Sequence, residues 1–139
     1  MLLLDNSAWS RLLGGRVPQE RRDEVAEWLD QERLAVCLPF LLEAGYSARS
    51  APDHKELLRR LEQLPRLPLD SAVERVALDA QYELAAVGHH RLPPTDLVIA
   101  ACAHLSGGGV LHYDRDYDLI IEHTRLKFES VWLAEAGTL

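Results

Sequence analysis

The chain has 139 residues, of which 47% are hydrophobic, and its formal net charge at pH 7 is −7. This size and composition predict one domain over residues 1–139 with a hydrophobic core, and they exclude a largely disordered chain. The negative charge argues against a simple DNA-binding module, whose surface is usually basic, although an enzyme can still meet nucleic acid at a local site.

Two features of the sequence bear on the cellular compartment. Asp5 ends the N-terminal apolar run after four residues, which is too short for a signal peptide, and no stretch is long enough to span a membrane. Cys37 and Cys102 each lie in an apolar run and outside any C-x-x-C pair, so we interpret both as small buried side chains. We therefore expect a cytoplasmic protein with no membrane association.

The first half of the chain is predicted to alternate short strands with helices. Residues 2–4 and 34–37 are apolar runs that suit strands buried on both faces, as in a parallel sheet. The helical spacing of apolar residues, together with closing glycines and helix-opening prolines, predicts helices over residues 6–13, 21–32, 39–50 and 53–64.

The second half continues this alternation. Apolar positions keep helical spacing for about four turns after Asp70, and a loop at 88–94 leads into the most apolar helix, 95–105. Three further elements follow, a strand, a helix and a last strand, at residues 110–113, 114–123 and 127–134. Strands that alternate with helices predict βαβ units and a mainly parallel sheet flanked by helices.

Carboxylates follow two of the predicted strands. Asp5 and Asp114 each come directly after an apolar run, at the sheet edge where open α/β sheets bind ligands. Asp96 lies in the first turn of the most apolar helix, and Glu43 is an isolated charge in an apolar helical stretch. Because a buried charge needs a partner or a metal, these acids predict a shared site for Mg²⁺ or Mn²⁺. Taken singly, each acid also fits a helix cap or a solvated turn.

The order of these residues along the chain resembles a known family. The specific segments are the strand followed by Asp5 with Asn6-Ser7, the run "PPTDLVIAACA" with Asp96, and the run "VLHYDRDYDLI" that begins at residue 110. Together with Glu43 in its apolar helix, they resemble the PIN-domain family, and more narrowly the VapC-type toxins of bacterial type II toxin–antitoxin systems. The resemblance covers essentially the whole chain.

The resemblance implies an α/β fold of three layers, with a central parallel sheet between helices, and a metal-dependent ribonuclease. It implies that Mg²⁺ or Mn²⁺ is bound by Asp5, Asp96, Asp114 and Asp116. The catalytic set that it implies is Asp5, Glu43, Asp96 and Asp114. The hypothesis for the mechanism is that a metal-activated water cleaves the phosphodiester, with Glu43 orienting or deprotonating that water.

The same resemblance assigns supporting roles to two further residues, and the position of three arginines in the sequence suggests contacts with substrate. Ser7 matches a small hydroxyl residue that supports the first aspartate, and Tyr117 is the aromatic residue of a D-x-D-aromatic element. Arg11, Arg91 and Arg115 lie near the site elements in sequence and are candidates for contacts with RNA phosphates. The implied partners are a cognate VapB-type antitoxin, an RNA substrate and a second copy of the chain in a homodimer.

Two other interpretations of the sequence remain open. A phosphatase-like enzyme would use Asp5 as its nucleophile, but that class has a second aspartate two residues later, where this chain has Ser7. A catalytically silent interaction scaffold could keep the same fold without the chemistry. The complete set of acids argues against this scaffold. A metal titration discriminates between the scaffold and a metal-dependent enzyme.

Overall fold

The sheet has four strands, and every neighbouring pair is parallel, which confirms the predicted fold class. In the computed structural model, which describes residues 1–139, the strand order is β2-β1-β3-β4. The strands are β1 (Leu2–Leu4), β2 (Leu34–Ala35), β3 (Gly109–His112) and β4 (Glu129–Trp132). The two central strands, β1 and β3, are fully buried, as expected for a parallel sheet covered on both faces.

Seven helices connect and flank the strands. They are α1 (Asn6–Gly14), α2 (Gln19–Asp30), α3 (Leu38–Tyr46), α4 (Ala51–Leu61), α5 (Ser71–Ala86), α6 (Pro94–Ser106) and α7 (Asp116–His123). Local signals start several of them: the side chains of Asp5, Ser50 and Asp70 each accept a hydrogen bond from a backbone N–H in the first turn. None of these helices has the length and apolar character that crossing a membrane requires.

The prediction was wrong at several element boundaries. The helix expected over 39–50 ends at Tyr46, and the helix expected over 53–64 is α4, Ala51–Leu61. The earlier start of α4 follows from Ser50, which caps it, and from a proline in its first turn. The strand expected over 34–37 has two residues, and Val36 forms only an isolated bridge to Arg66. The last strand is shorter than the predicted range 127–134.

Helix α6 packs against the sheet through small side chains. Its buried residues include five consecutive positions, Ile99–Ala103, of which four have small side chains. Small side chains allow a helix to approach its neighbour closely. The first turn of α6 is buried as well, at Asp96 and Leu97. The sheet is equally close-packed at β3, where a Cβ on Gly109 would lie only 2.5 Å from the carbonyl oxygen of Glu129.

Candidate metal centre

The candidate site lies at the carboxyl ends of the two central strands. Asp5 directly follows β1, and its backbone N–H donates to the carbonyl oxygen of Leu111 on β3, so the two strands end side by side. Asp114 comes two residues after β3, and Asp116 begins α7. Asp96 enters from the first turn of α6. This is the edge at which open α/β sheets bind ligands.

Three of these acids form a tight cluster. Asp96, Asp114 and Asp116 each have one carboxylate oxygen in the cluster, and these three oxygens all lie within 4.8 Å of one another. Two unit charges about 4 Å apart repel by roughly 4 kcal/mol at an effective dielectric of about 20, before proton uptake and solvent reduce the cost. The cluster therefore favours a proton or a cation, and an all-oxygen donor set suits a hard divalent cation.

Asp96 is the acid whose environment demands a cation most strongly. Its side chain is only 5% exposed, and its Oδ2 atom is buried without a hydrogen-bond partner. Burial, and then the charges of Asp5 and Asp114, raise the pKa of Asp96 from 3.8 to about 8. Burial and the Asp114 charge also raise the pKa of Asp116. An unpartnered buried carboxylate oxygen is costly, so these residues fit a bound metal ion.

Asp5 lies beside this cluster and is connected to it by a tyrosine. The Tyr117 hydroxyl donates a hydrogen bond of 2.7 Å to Asp5 Oδ1 and lies 3.4 Å from Asp96 Oδ1. Burial, and then the charges of the two aspartates, raise the pKa of Tyr117 well above its usual range, so the hydroxyl keeps its proton. The sequence pattern identifies Tyr117 only as an aromatic residue, and the role of its hydroxyl is visible only in the structure.

Ser7 holds the other side of the Asp5 carboxylate. Asp5 Oδ2 accepts a hydrogen bond of 2.9 Å from the Ser7 backbone N–H and a second, short one from the Ser7 hydroxyl. The same hydroxyl oxygen accepts a hydrogen bond of 2.9 Å from the backbone N–H of Tyr113. Ser7 thus fixes the orientation of Asp5 and joins the start of α1 to the end of β3.

Glu43 lies outside the three-acid cluster but is connected to α6. It is half-buried on α3, and its Oε1 atom accepts a hydrogen bond of 2.7 Å from the hydroxyl of Thr95, the neighbour of Asp96 in the chain. Its charge also contributes to the raised pKa of Asp96, although burial and the three aspartates contribute more. The structure thus brings Glu43 to the same edge of the sheet.

A hydrogen-bonded chain supports Asp114 from β4. His112 Nδ1 accepts a hydrogen bond of 3.1 Å from the Asp114 backbone N–H, and its Nε2 atom lies 2.7 Å from the Ser130 hydroxyl. Ser130 donates onward to Asp118 Oδ1 at 2.6 Å, and Trp132 donates to Asp118 Oδ2 at 2.9 Å. These directions require the proton of His112 to be on Nε2, and burial lowers the pKa of this histidine. No local sequence signal indicates that Ser130 and Trp132 belong near the site.

The three candidate arginines lie in different environments. Arg11 is half-buried, donates to the Ser7 carbonyl oxygen at 2.9 Å, and places its guanidinium 4.3 Å from the centre of the Tyr113 ring. Its Nε atom is buried without a partner. Arg91 is exposed in the loop before α6, and Arg115 is exposed just before α7. The structure therefore places Arg11 beside the site and leaves the other two free at the surface.

Comparison with known proteins agrees with this geometry. The family model for the PIN domain matches residues 2–122. The curated relatives include "Ribonuclease VapC18" of Mycobacterium tuberculosis, 38% identical over 98% of this chain and 97% of the relative, and "Ribonuclease VapC21" of the same species, 36% identical over 98% and 96%.

Solved structures with the same fold include the DNA-bound VapBC complex from Salmonella typhimurium and FitAcB from Neisseria gonorrhoeae. The first has a TM-score of 0.71 and 21% identity over 94% of this chain and 98% of the solved chain. The second has a TM-score of 0.67 and 22% identity over 94% and 96%. These matches confirm the resemblance seen in the sequence, and the chain therefore belongs to the PIN domain family and is related within it to the VapC ribonucleases.

Proposed function

We propose that this protein is a metal-dependent endoribonuclease and the toxin of a VapBC-type toxin–antitoxin module. The observation that carries the proposal is the buried Asp96 carboxylate, whose unpartnered Oδ2 atom lies in a cluster of acids at the ligand-binding edge of a parallel sheet. Kinship with proteins named as ribonucleases supports RNA as the substrate. The complete acid set disfavours a catalytically silent scaffold.

The residues assigned to the metal are Asp5, Asp96, Asp114 and Asp116, and the proposed ion is Mg²⁺ or Mn²⁺. When bound, such a cation supplies positive charge beside the scissile phosphate and makes an attacking water more acidic. Ser7 and Tyr117 orient Asp5, while the His112 chain fixes the backbone at Asp114. The protein thus contributes a set of carboxylates whose orientation is fixed by hydrogen bonds.

Glu43 is the residue to which we assign proton transfer. Its Oε1 atom is engaged by Thr95, so Oε2 is the atom available to accept a proton from the attacking water. The water oxygen bonds to phosphorus while Glu43 holds the proton taken from the water. The bond from phosphorus to the 3′-oxygen breaks and that oxygen takes up a proton from solvent, so the products carry a 5′-phosphate and a 3′-hydroxyl. The phosphatase-like alternative is disfavoured because the position two residues after Asp5 is Ser7, whose N–H and hydroxyl both donate to Asp5 Oδ2, and not the second aspartate of that class.

Substrate contacts are proposed for Arg11, Arg91 and Arg115. Because the chain as a whole carries a charge of −7, RNA has to be attracted by local basic groups. Arg91 and Arg115 are exposed and can form bidentate hydrogen bonds with phosphates, whereas Arg11 is half-buried, donates to the Ser7 carbonyl oxygen and would contribute positive charge beside the site. The cytoplasm is the proposed place of action, since that is where cellular RNA is made and translated in bacteria.

The proposed protein partners are a VapB-type antitoxin and a second copy of the chain. The solved structures that resemble this chain include VapBC complexes. An acidic site on an acidic protein would attract a basic antitoxin segment. For the homodimer, α3 exposes Leu38, Leu42 and Tyr46 at intervals of four residues, which form one apolar stripe on the helix surface.

The proposal is tested by incubating the purified protein with total cellular RNA in Mg²⁺, Mn²⁺ or EDTA. We expect cuts with 5′-phosphate ends in metal and none in EDTA. Asp5→Asn and Asp96→Asn should abolish cleavage, whereas the exposed Asp23→Asn on α2 is the matched control and should cleave normally. Cleavage by both site variants at the wild-type rate would refute the assignment. A folded, antitoxin-free wild type that cuts in neither metal would favour the scaffold.

A further inference from the structure

The Tyr117 hydroxyl lies between two buried acids. The packing of the Tyr117 ring does not need a hydroxyl group. The ring is fully buried, with its centroid 4.8 Å from that of His112 and 6.4 Å from that of Phe128. A phenylalanine would fill the same space and keep these ring contacts. The hydroxyl adds only two polar approaches, to Asp5 Oδ1 at 2.7 Å and to Asp96 Oδ1 at 3.4 Å.

A count of lone pairs shows what this hydroxyl does to Asp5. Each carboxylate oxygen can accept about two hydrogen bonds or metal contacts. Asp5 Oδ2 already accepts two, from the N–H and the hydroxyl of Ser7, while Oδ1 accepts one from Tyr117. Asp5 is only 3% exposed, so solvent does not compete for these positions. One free acceptor position therefore remains on Asp5, and it belongs to Oδ1.

The hydroxyl also affects the pair of charges. When both are ionised, Asp5 and Asp96 repel each other, and the hydroxyl proton that lies between them offsets part of that repulsion before any cation arrives. Without the hydroxyl, one buried oxygen of Asp5 would lose its only hydrogen-bond donor. The carboxylate would then be free to turn away from Asp96.

We propose that the Tyr117 hydroxyl is a positioning group of the metal centre. It orients Asp5 so that Oδ1 alone is available to a cation, and it places the proton that it donates to Asp5 beside Asp96 in the metal-free protein. This inference rests on the metal site of the proposed function. Groups that orient metal ligands in this way typically change metal affinity by roughly tenfold to a hundredfold when they are removed.

The test is Tyr117→Phe, which removes the hydroxyl and keeps the ring. Mn²⁺ binding to the full chain, measured by calorimetry, should weaken by roughly tenfold to a hundredfold. The Mn²⁺ concentration for half-maximal RNA cleavage should rise by a similar factor, while the rate at saturating Mn²⁺ changes much less. Tyr82→Phe is the matched control, because Tyr82 is 77% exposed on α5, and its Mn²⁺ affinity should equal that of the wild type.

The outcomes separate this inference from the proposed function. If the wild type binds Mn²⁺ and Tyr117→Phe binds it equally well, the role of the hydroxyl is refuted and the metal site stands. If the wild type binds neither Mn²⁺ nor Mg²⁺, both fail together. A second measurement needs no variant of Tyr117: in wild type with ¹³C-labelled tyrosine, Mg²⁺ should shift the Tyr117 Cζ resonance and leave that of Tyr82 in place. An unmoved Tyr117 resonance in protein that binds Mg²⁺ would overturn the inference.

Discussion

The hydroxyl oxygen of Ser7 accepts a hydrogen bond of 2.9 Å from the backbone N–H of Tyr113, which is 106 residues away in the chain. Because the same hydroxyl donates to Asp5, it ties a proposed metal ligand on one central strand to the end of the other. The site therefore depends on the relative position of β1 and β3, and not on the loop at either strand alone.

Ser7→Ala should consequently destabilise the protein and loosen the site. It removes the acceptor of the Tyr113 N–H and one donor to Asp5, and an unsatisfied buried polar group costs about 1–3 kcal/mol. Urea unfolding should show a loss of this size, with weaker Mn²⁺ binding. The control is Ser10→Ala, at an exposed position on the same helix. Equal unfolding midpoints for the two variants would contradict the structural role of Ser7.

The raised pKa of Asp96 predicts a specific pH dependence in EDTA. A carboxyl whose pKa is higher in the folded than in the unfolded state holds its proton more tightly when folded, so its contribution to stability is lost as pH rises. The quantity to measure is the free energy of unfolding of the wild type minus that of Asp96→Asn. This difference should fall as the pH rises from about 4 to about 8 and should stay constant above about pH 8. Asn cannot titrate, so this difference isolates Asp96. A difference that does not vary with pH would show that Asp96 is not perturbed.

Divalent cations should stabilise the wild type. A ligand that binds only the folded state at about 100 times its Kd adds about 2.7 kcal/mol. At neutral pH, Mg²⁺ or Mn²⁺ should therefore raise the melting temperature of the wild type. In metal-free buffer both Asn variants should melt above the wild type, because Asp114→Asn removes one charge of the cluster and Asp96→Asn removes the cost of protonating a buried carboxylate on folding. Na⁺ at matched ionic strength is the control. A wild-type melt unaffected by either divalent ion would count against the metal centre.

The hydrogen-bonded chain from β4 to Asp114 predicts that Ser130, on β4, affects the stability of the protein and the backbone at Asp114. Ser130→Ala leaves the buried Nε2–H of His112 without its acceptor, so the ring that holds the Asp114 N–H is less well fixed. We expect a loss of about 1–3 kcal/mol in stability and faster hydrogen exchange at the Asp114 amide. Ser71→Ala, exposed at the start of α5, is the comparison. Unchanged exchange at Asp114 would argue that His112 does not support the site.

Local patterns in the sequence predicted the main features of the fold. Short apolar runs ended by an acid identified β1 and β3, because strands covered on both faces have few polar positions. The helix boundaries between residues 46 and 53 were predicted less well, since a Ser-Ala-Pro start at residue 50 competes with the continuing helical spacing of the preceding segment. The single domain over residues 1–139 remains a prediction.

The sequence by itself determined which acids stand at strand ends and helix starts, because those positions depend on contacts within a few residues. It therefore indicated Asp5, Asp96 and Asp114, with Glu43 as an isolated charge, and the resemblance added Asp116 and the family to which the chain belongs. Only the tertiary structure decided how these acids are grouped: three form one cluster, while Asp5 and Glu43 reach it through hydroxyl groups of other residues. The reason is physical. Hydrogen bonds have to be formed at about 3 Å, and which donors come that close to an acid is set by the packing of elements distant in sequence.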